Sequence, residues 1–257
     1  MEIAIPSSSL INERDEKIKV YKIGMIARAA AIFRVKVIHI YKDPALDESG
    51  LIREVLEYLE TPQYLRKYLF PIKGSLRYAG VLPPLRIPSH KPKDLKIGEV
   101  REGVIVRVAP DGTAWADIGM KALALYRGKA KERARVTVRV CSKKPLVVED
   151  AQPEGYWGYR VRKARLEDLV KRRDAVVTSR RGKVPEPVEV ARKGLLIFGS
   201  PSEGVHEIAE RLGVSLNGVD VWNMFPDQGT QTVRLEEAVM GSLAITNYLR
   251  YVEGGIR

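Results

Sequence analysis

The pattern that most constrains this chain is an interruption. Two stretches whose apolar residues switch between helical and strand spacing flank a middle stretch of short, glycine-punctuated strands. In the first stretch Ile18, Tyr21, Met25, Ala29 and Phe33 recur at helical intervals, with Ile26 and Ala30 beside them. Val35–Tyr41 is then β-branched and ends at Asp43-Pro44, Leu51–Glu60 returns to helical spacing, and Tyr64–Phe70 follows Pro62 as a short helix. A proline-rich hinge runs from Pro83 to Pro92. After it Gly98–Val108 alternates like a strand, Asp111-Gly112 marks a turn, and Ala114–Gly119 is the partner strand. Arg135–Cys141 and Leu146–Val148 read as two more. The last stretch carries three strand runs, Ala175–Ser179, Gly194–Gly199 and Gly218–Met224, and a long helix from Val233 to Tyr251. Ser200-Pro201-Ser202-Glu203 has the form of a capping box that opens a helix ending at Leu212, before Gly213. The outer stretches share a style that the middle lacks. The expected architecture is therefore one discontinuous α/β domain, residues 1–86 and 163–257, with a small β-barrel inserted at 87–162.

Charge narrows the partner. Lys and Arg number 44 against 32 Asp and Glu. From Arg86 to Lys183 there are 25 basic and 12 acidic residues, and the rest of the chain has 19 and 20. The whole excess lies in one internal stretch, which favours a polyanion, most simply nucleic acid, over an evenly solvated basic surface. No apolar run approaches the roughly 18 residues of a membrane span, so no membrane partner is expected. The first fifteen residues lack the basic head and apolar stretch of a signal peptide, and an intracellular, cytoplasmic location is expected. One cysteine, Cys141, excludes an internal disulfide, and His39, His90 and His206 have no metal-motif spacing, so no metal is expected.

Three loops follow the three C-terminal strand runs: 178–182, 199–204 and 223–232. Ligands of α/β sheets bind outside the carboxyl ends of strands, so these loops are the default pocket. Their glycines allow close backbone approach, and the helices that follow present free N–H groups. Neither GxGxxG nor GxxxxGK[ST] occurs, which disfavours a dinucleotide enzyme or a phosphate-cradling NTPase.

Three segments carry a family resemblance: Gly199-Ser200-Pro201-Ser202-Glu203-Gly204, the run Asn223-Met224-Phe225-Pro226-Asp227-Gln228-Gly229-Thr230-Gln231-Thr232-Val233-Arg234-Leu235-Glu236-Glu237-Ala238, and Ile26–Val35. Together they resemble the SPOUT RNA methyltransferases, in the archaeal and eukaryotic branch with an OB-type domain inserted in the catalytic domain. Gly98–Gly119 is similar to the opening hairpin of S1-like OB folds. The resemblance spans nearly the whole chain. It implies a SPOUT-type knotted α/β domain with a C-terminal trefoil knot, an inserted OB-like barrel and a homodimer whose active site lies at the subunit interface. It also implies S-adenosylmethionine bound in a bent form within the three knot loops.

Carried onto this chain, the cofactor pocket comprises Thr178, Gly199, Glu203, Gly204, Asn223, Phe225, Pro226, Gln228, Gly229 and Thr232, with Val233 beside them. Arg28 is the implied catalytic group. Its small and apolar neighbours leave its guanidinium weakly hydrated, and related enzymes place a helix-one arginine at the active site, often from the partner subunit. Arg101, Arg107 and Trp115 of the barrel, with Arg180 and Arg181 at the first loop, are the expected RNA contacts. The resulting expectation is an S-adenosylmethionine-dependent RNA methyltransferase acting on ribosomal RNA, at uridine N3 rather than a ribose 2′-hydroxyl. The alternatives are a non-catalytic RNA-binding or ribosome assembly factor that keeps the fold, and a DNA-binding protein.

Overall fold

Ile3-Ala4-Ile5 is a run too short to reveal itself by periodicity, yet its strand, β1 (Glu2–Pro6), stands inside the main sheet between two parallel neighbours. Residues 1–71, 74–92 and 94–253 are described by the computed structural model. Along the chain β1 is followed by α1 (Glu16–Ile32), β2 (Val37–Tyr41), α2 (Ser49–Glu60) and α3 (Gln63–Leu69). Five strands come next: β3 (Val100–Val108), β4 (Ala114–Asp117), β5 (Ala124–Arg127), β6 (Arg135–Lys143) and β7 (Leu146–Asp150). The remainder is β8 (Arg160–Ala164), α4 (Leu166–Val170), β9 (Ala175–Lys183), α5 (Pro187–Arg192), β10 (Leu195–Ile197), α6 (Val205–Leu212), β11 (Asp220–Trp222) and α7 (Leu235–Val252).

Two compact units emerge. One holds Met1–Glu57, Ser75–Leu85 and Tyr159–Arg257, and the other Tyr58–Gly74 with Arg86–Gly158. The first is built on a six-stranded sheet in the order β11-β9-β10-β1-β2-β8, with every pair parallel. A parallel sheet is covered on both faces, so its strands read as continuous apolar runs. Ala4, Ala175, Val177, Leu195 and Ile197 meet Leu166 and Leu169 of α4 and Val205, Ile208 and Ala209 of α6 in one core cluster. The alternate residues Ile3, Ile5, Val176 and Leu196 are buried as well.

Asp15 caps α1, its carboxylate accepting from the N–H groups of Lys17 and Ile18 at 2.7 and 3.2 Å. The helix buries Val20, Ile23, Ile26, Ala27 and Ala29–Ala31. This corrects the expected stripe, because Ile18 and Tyr21 face outward at 45% and 49% exposure. A second correction concerns Ser200. The helix after β10 starts at Val205 with Gly204 as its N-cap, four residues later than the capping-box reading. Ser200 and Glu203 instead close a tight turn, Ser200 N–H donating to the Glu203 carbonyl at 2.8 Å and Glu203 N–H to Ser200 Oγ at 3.0 Å. Gly213 ends α6 in the left-handed region, φ 65°, as the sequence implies.

The second unit contains a closed five-stranded barrel in the order β3-β4-β5-β7-β6, antiparallel except for the parallel β5–β7 pair, as in an OB-type barrel. Ile105, Ala116, Ile118, Ala124, Val138, Val140 and Val148 fill it. The sequence reading has four of these strands and lacks β5. α3 belongs with the barrel: Tyr64 Oη donates to the Glu102 carbonyl and Tyr68 Oη to Asp117 Oδ2, each at 2.8 Å. Gly119, at φ +84°, admits this close approach, since a Cβ there would stand 2.8 Å from the Tyr64 ring. Arg135 ties the same unit together, bonding the carboxylates of Glu60 and Glu102 at 2.6 Å.

Candidate functional site

The outer half of β9, from Thr178 onward, and the loops after β10 and β11 converge on one cavity of about 380 Å³, so the segment 178–182, expected as a loop, is strand. Each of the three segments is held by bonds that the sequence encodes. In the first, Thr178 Oγ1 donates to the Ile197 carbonyl at 3.0 Å and ties the middle of β9 to the end of β10. In the second, Gly199 is required by packing, because a Cβ there would stand 2.6 Å from the Glu203 carbonyl oxygen and 2.8 Å from Gly204 Cα. In the third, Asn223 Oδ1 accepts from the Phe225 N–H at 3.0 Å, an Asx turn that redirects the chain after β11. Gln228 Nε2 then donates to the Thr230 carbonyl at 2.9 Å.

The loops are also tied to each other. Asn223 N–H donates to the Lys183 carbonyl at 2.8 Å, and Arg180 reaches the Gln231 carbonyl at 3.5 Å. Arg181 pairs with Glu207 of α6 at 2.8 Å. The Glu207 main-chain N–H, with Arg181 beside it, holds the Glu207 carboxyl below its usual range. Glu203 is gripped by Arg211, whose Nη1 bonds Asp43 Oδ1 at 2.7 Å. Asp43 is fully buried and also accepts from Ser8 Oγ at 2.5 Å and the Ala45 N–H at 3.0 Å. A buried carboxylate at the end of β2 therefore anchors one wall of the cavity.

Of the residues expected at the cofactor site, Thr178, Gly199, Glu203, Gly204, Asn223, Phe225, Gln228, Thr232 and Val233 line this cavity, as do Arg180 and Arg181. Pro226 and Gly229 stand in the third loop off its wall. The sequence reading missed Phe198, Glu207 and Ser242, which also line it. Ser242 lies one turn beyond Ala238 and two beyond Leu235 on α7, is fully buried, and its Oγ has no hydrogen-bond partner among the described residues. A signal existed in the seven-residue spacing from Leu235, but only the packing of α7 identifies which face meets the cavity.

Arg28 is half-buried on α1 and is not part of the cavity wall. Its Nη1 donates to the carbonyls of Pro84 and Leu85, each at 3.0 Å. In the barrel unit Arg107 is exposed and stacks its guanidinium 3.9 Å from the centroid of the Trp115 ring. Arg101 does not share that face. It is fully buried, with Nε on Glu99 at 2.5 Å and Nη2 on the carbonyls of Pro92 and Asp94. Its guanidinium holds the barrel entrance strand together, and the expected RNA contact at this position is withdrawn.

The sequence profile of the family described as "Putative RNA methyltransferase" matches residues 1–246. The chain is 35% identical to an uncharacterized protein of Halobacterium salinarum, over 95% of this chain and 98% of that one. It is 31% identical to the 28S rRNA (uridine-N(3))-methyltransferase of Homo sapiens, over 95% and 77% of the two chains. The Drosophila melanogaster protein of the same name is 30% identical, over 95% and 61%.

Proposed function

As this chain belongs to that RNA methyltransferase family, we propose that it transfers a methyl group from S-adenosylmethionine to ribosomal RNA, at N3 of a uridine. The observation that carries the reading is the convergence of the outer half of β9 and two strand-end loops on one cavity in a chain of this family. The nucleotide and atom follow the relatives named as 28S rRNA (uridine-N(3))-methyltransferases.

The cavity residues fit the cofactor chemically. Phe198, Phe225 and Leu235 offer apolar surface to a heterocycle, and the buried Ser242 hydroxyl is an unmatched polar group facing the same space. Glu203 and Glu207 supply negative charge for a cationic tail, and the Gly199–Gly204 turn brings main-chain groups close. Once bound, S-adenosylmethionine supplies an electrophilic methyl on a sulfonium centre. The protein's own task is to hold the uracil ring in line with that methyl, since alignment lowers the barrier to a displacement more than any single contact. The uracil gives up its N3 proton to solvent water as the N3–methyl bond forms and the sulfonium's S–methyl bond breaks, and a fixed guanidinium beside it stabilises the developing anion.

Arg28 is assigned that role from a partner subunit. Ile18, Tyr21, Met25, Arg28 and Ile32 follow one another at three- and four-residue steps along α1, and Ile18, Tyr21 and Ile32 are exposed. α1 packs along α7, which adds exposed Ile245, Tyr248, Tyr251 and Val252. An exposed apolar face of this kind supports a homodimer. A trefoil knot is part of the same reading, and the close approach of β9 and β11 at Gly182, where a Cβ would meet the backbone of Val221 and Trp222 at 2.6 Å, is compatible with it. Arg107 stacked on Trp115 is the proposed platform for an RNA base.

Calorimetric titration with S-adenosylmethionine, followed by methyl transfer to ribosomal RNA and mass-spectrometric identification of the nucleoside, tests the reading. The expected product is 3-methyluridine. Absence of binding heat together with absence of transfer would leave an RNA-binding assembly factor, and a ribose-methylated product would move the target atom.

A further inference from the structure

The positive charge is denser in the segment that follows the barrel in sequence than in the barrel segment itself. Arg86–Gly158 carries 15 basic and 9 acidic residues, whereas the much shorter Tyr159–Lys183 carries 10 and 3. That second segment belongs to the α/β unit and opens with β8. β8 is the outermost strand of the sheet, paired on one side with β2 and on the other with no strand among the described residues. Its sequence, Arg160-Val161-Arg162-Lys163-Ala164, holds three cations, all exposed. Exposed Lys36 adjoins them, its carbonyl accepting from the Arg160 N–H at 2.9 Å.

Several cations elsewhere on the same unit are matched, Lys19 with Glu48, Lys22 with Glu13, Arg172 with Glu2 and Asp174, Lys193 with Asp220. Others unpaired among the described residues, such as Arg14, Lys17 and Arg34, do not form a run of three on one strand. Arg160, Arg162, Lys163 and Lys36 have no carboxylate within 4.0 Å among the described residues. The simplest account of charge on a sheet edge is protection against pairing with another strand. Protection needs one or two charges and is served by either sign. Three cations in five residues, with Lys36 beside them and no acid between, exceed that need and place a concentrated positive field along an exposed strand.

We propose that the outer edge of β8, with Lys36 at its start, is an RNA-backbone contact of the α/β unit that the barrel residues do not supply. The choice of RNA rests on the methyltransferase reading above, while the demand for a polyanion comes from the unmatched cations themselves. Such a contact is read through salt dependence, because each cation that neutralises a phosphate releases a condensed counterion.

The test measures binding of a fluorescently labelled ribosomal RNA fragment by anisotropy over a range of salt concentrations. Wild type is compared with the triple variant Arg160→Gln/Arg162→Gln/Lys163→Gln, and with Arg14→Gln/Lys17→Gln/Arg53→Gln, which removes the same charge elsewhere. The β8 variant is expected to lose roughly 2 from the magnitude of the log–log salt slope, at about 0.7 for each single-stranded phosphate contact. The control is expected to keep the wild-type slope, and both variants the wild-type heat with S-adenosylmethionine. A β8 variant indistinguishable from the control overturns this contact and leaves the enzyme reading standing. A wild-type protein that binds S-adenosylmethionine but shows no salt-dependent RNA binding overturns the contact and the RNA substrate together.

Discussion

The ring of Phe225 lies directly on Gly241, where a Cβ would stand 2.6 Å from the ring's Cε1 and 2.7 Å from its Cζ. Gly241 is inside α7 and Phe225 lines the cavity, so a helix position sets where a pocket side chain can rest. Alanine at 241 would raise helix stability by about 0.5–1 kcal/mol on backbone grounds alone, but it must displace the ring. Gly241→Ala is therefore expected to leave the unfolding midpoint within a few degrees while weakening S-adenosylmethionine binding roughly tenfold, or about 1.4 kcal/mol. Calorimetry checks this directly. Unchanged affinity would separate Phe225 from the cofactor.

Arg211 joins a fully buried carboxylate, Asp43, to the cavity carboxylate Glu203. Removing the arginine strands Asp43 with only the Ser8 hydroxyl and the Ala45 N–H. Arg211→Gln is expected to lower the urea midpoint of unfolding, because the fully buried Asp43 carboxylate is left without its cation. Adding Asp43→Asn should recover part of that loss, since the uncompensated charge is gone. Urea denaturation of the two single variants and the double variant yields the coupling. Strict additivity would show that the two side chains do not act together.

The exposed face of α1 and α7 offers a separate check. Tyr248 and Tyr21 are 65% and 49% exposed, so charging them should alter folding by no more than about 0.5 kcal/mol. Tyr21→Glu/Tyr248→Glu is expected to sediment as a monomer where the wild type sediments as a dimer, and to lose methyl transfer while retaining cofactor binding. A wild type that is monomeric at micromolar concentration would remove Arg28 of a second subunit from the mechanism.

What the sequence revealed, and what it hid, follows from how local each signal is. The cavity residues Thr178, Gly199 and Asn223 were legible because a β-branched run followed by glycine or an Asx turn is a short-range pattern, although β9 runs on through 178–182 where a loop was expected. Ile3-Ala4-Ile5 was not, because a short strand buried on both faces has no alternation to read. Ser200 and Glu203 satisfy the spacing of a capping box, yet Glu203 is committed to Arg211 and Gly199 packs on its carbonyl, so the tertiary contact overrides the motif. Arg101 and Arg107 share the parity of one strand and would be placed on one face. A bulge between Ile105 and Arg107 breaks that parity, leaving Arg101 buried and Arg107 outward. Glu207 and Ser242 lie on helices whose rotation towards the cavity is decided only by packing.

His90 makes the barrel unit sensitive to acid. Burial pushes its pKa below the ordinary 6.5, and the nearby Arg66 and Arg135 cations add to that, against the bond from Nε2 to the Glu60 carbonyl at 2.8 Å. A histidine whose folded pKa is depressed binds fewer protons folded than unfolded. Its contribution to stability is therefore complete above pH 6.5 and is lost as pH falls through the lowered folded value. Gln at this position can keep a donor towards Glu60 without titrating. Between pH 7.5 and 5.5 the wild type should lose more thermal stability than His90→Gln, by roughly 2–4 °C for each 1 kcal/mol of linkage in a chain of this size. Thermal unfolding of both proteins at the two pH values checks the difference. Parallel losses in the two would show that protonation of His90 is not what the barrel unit resists.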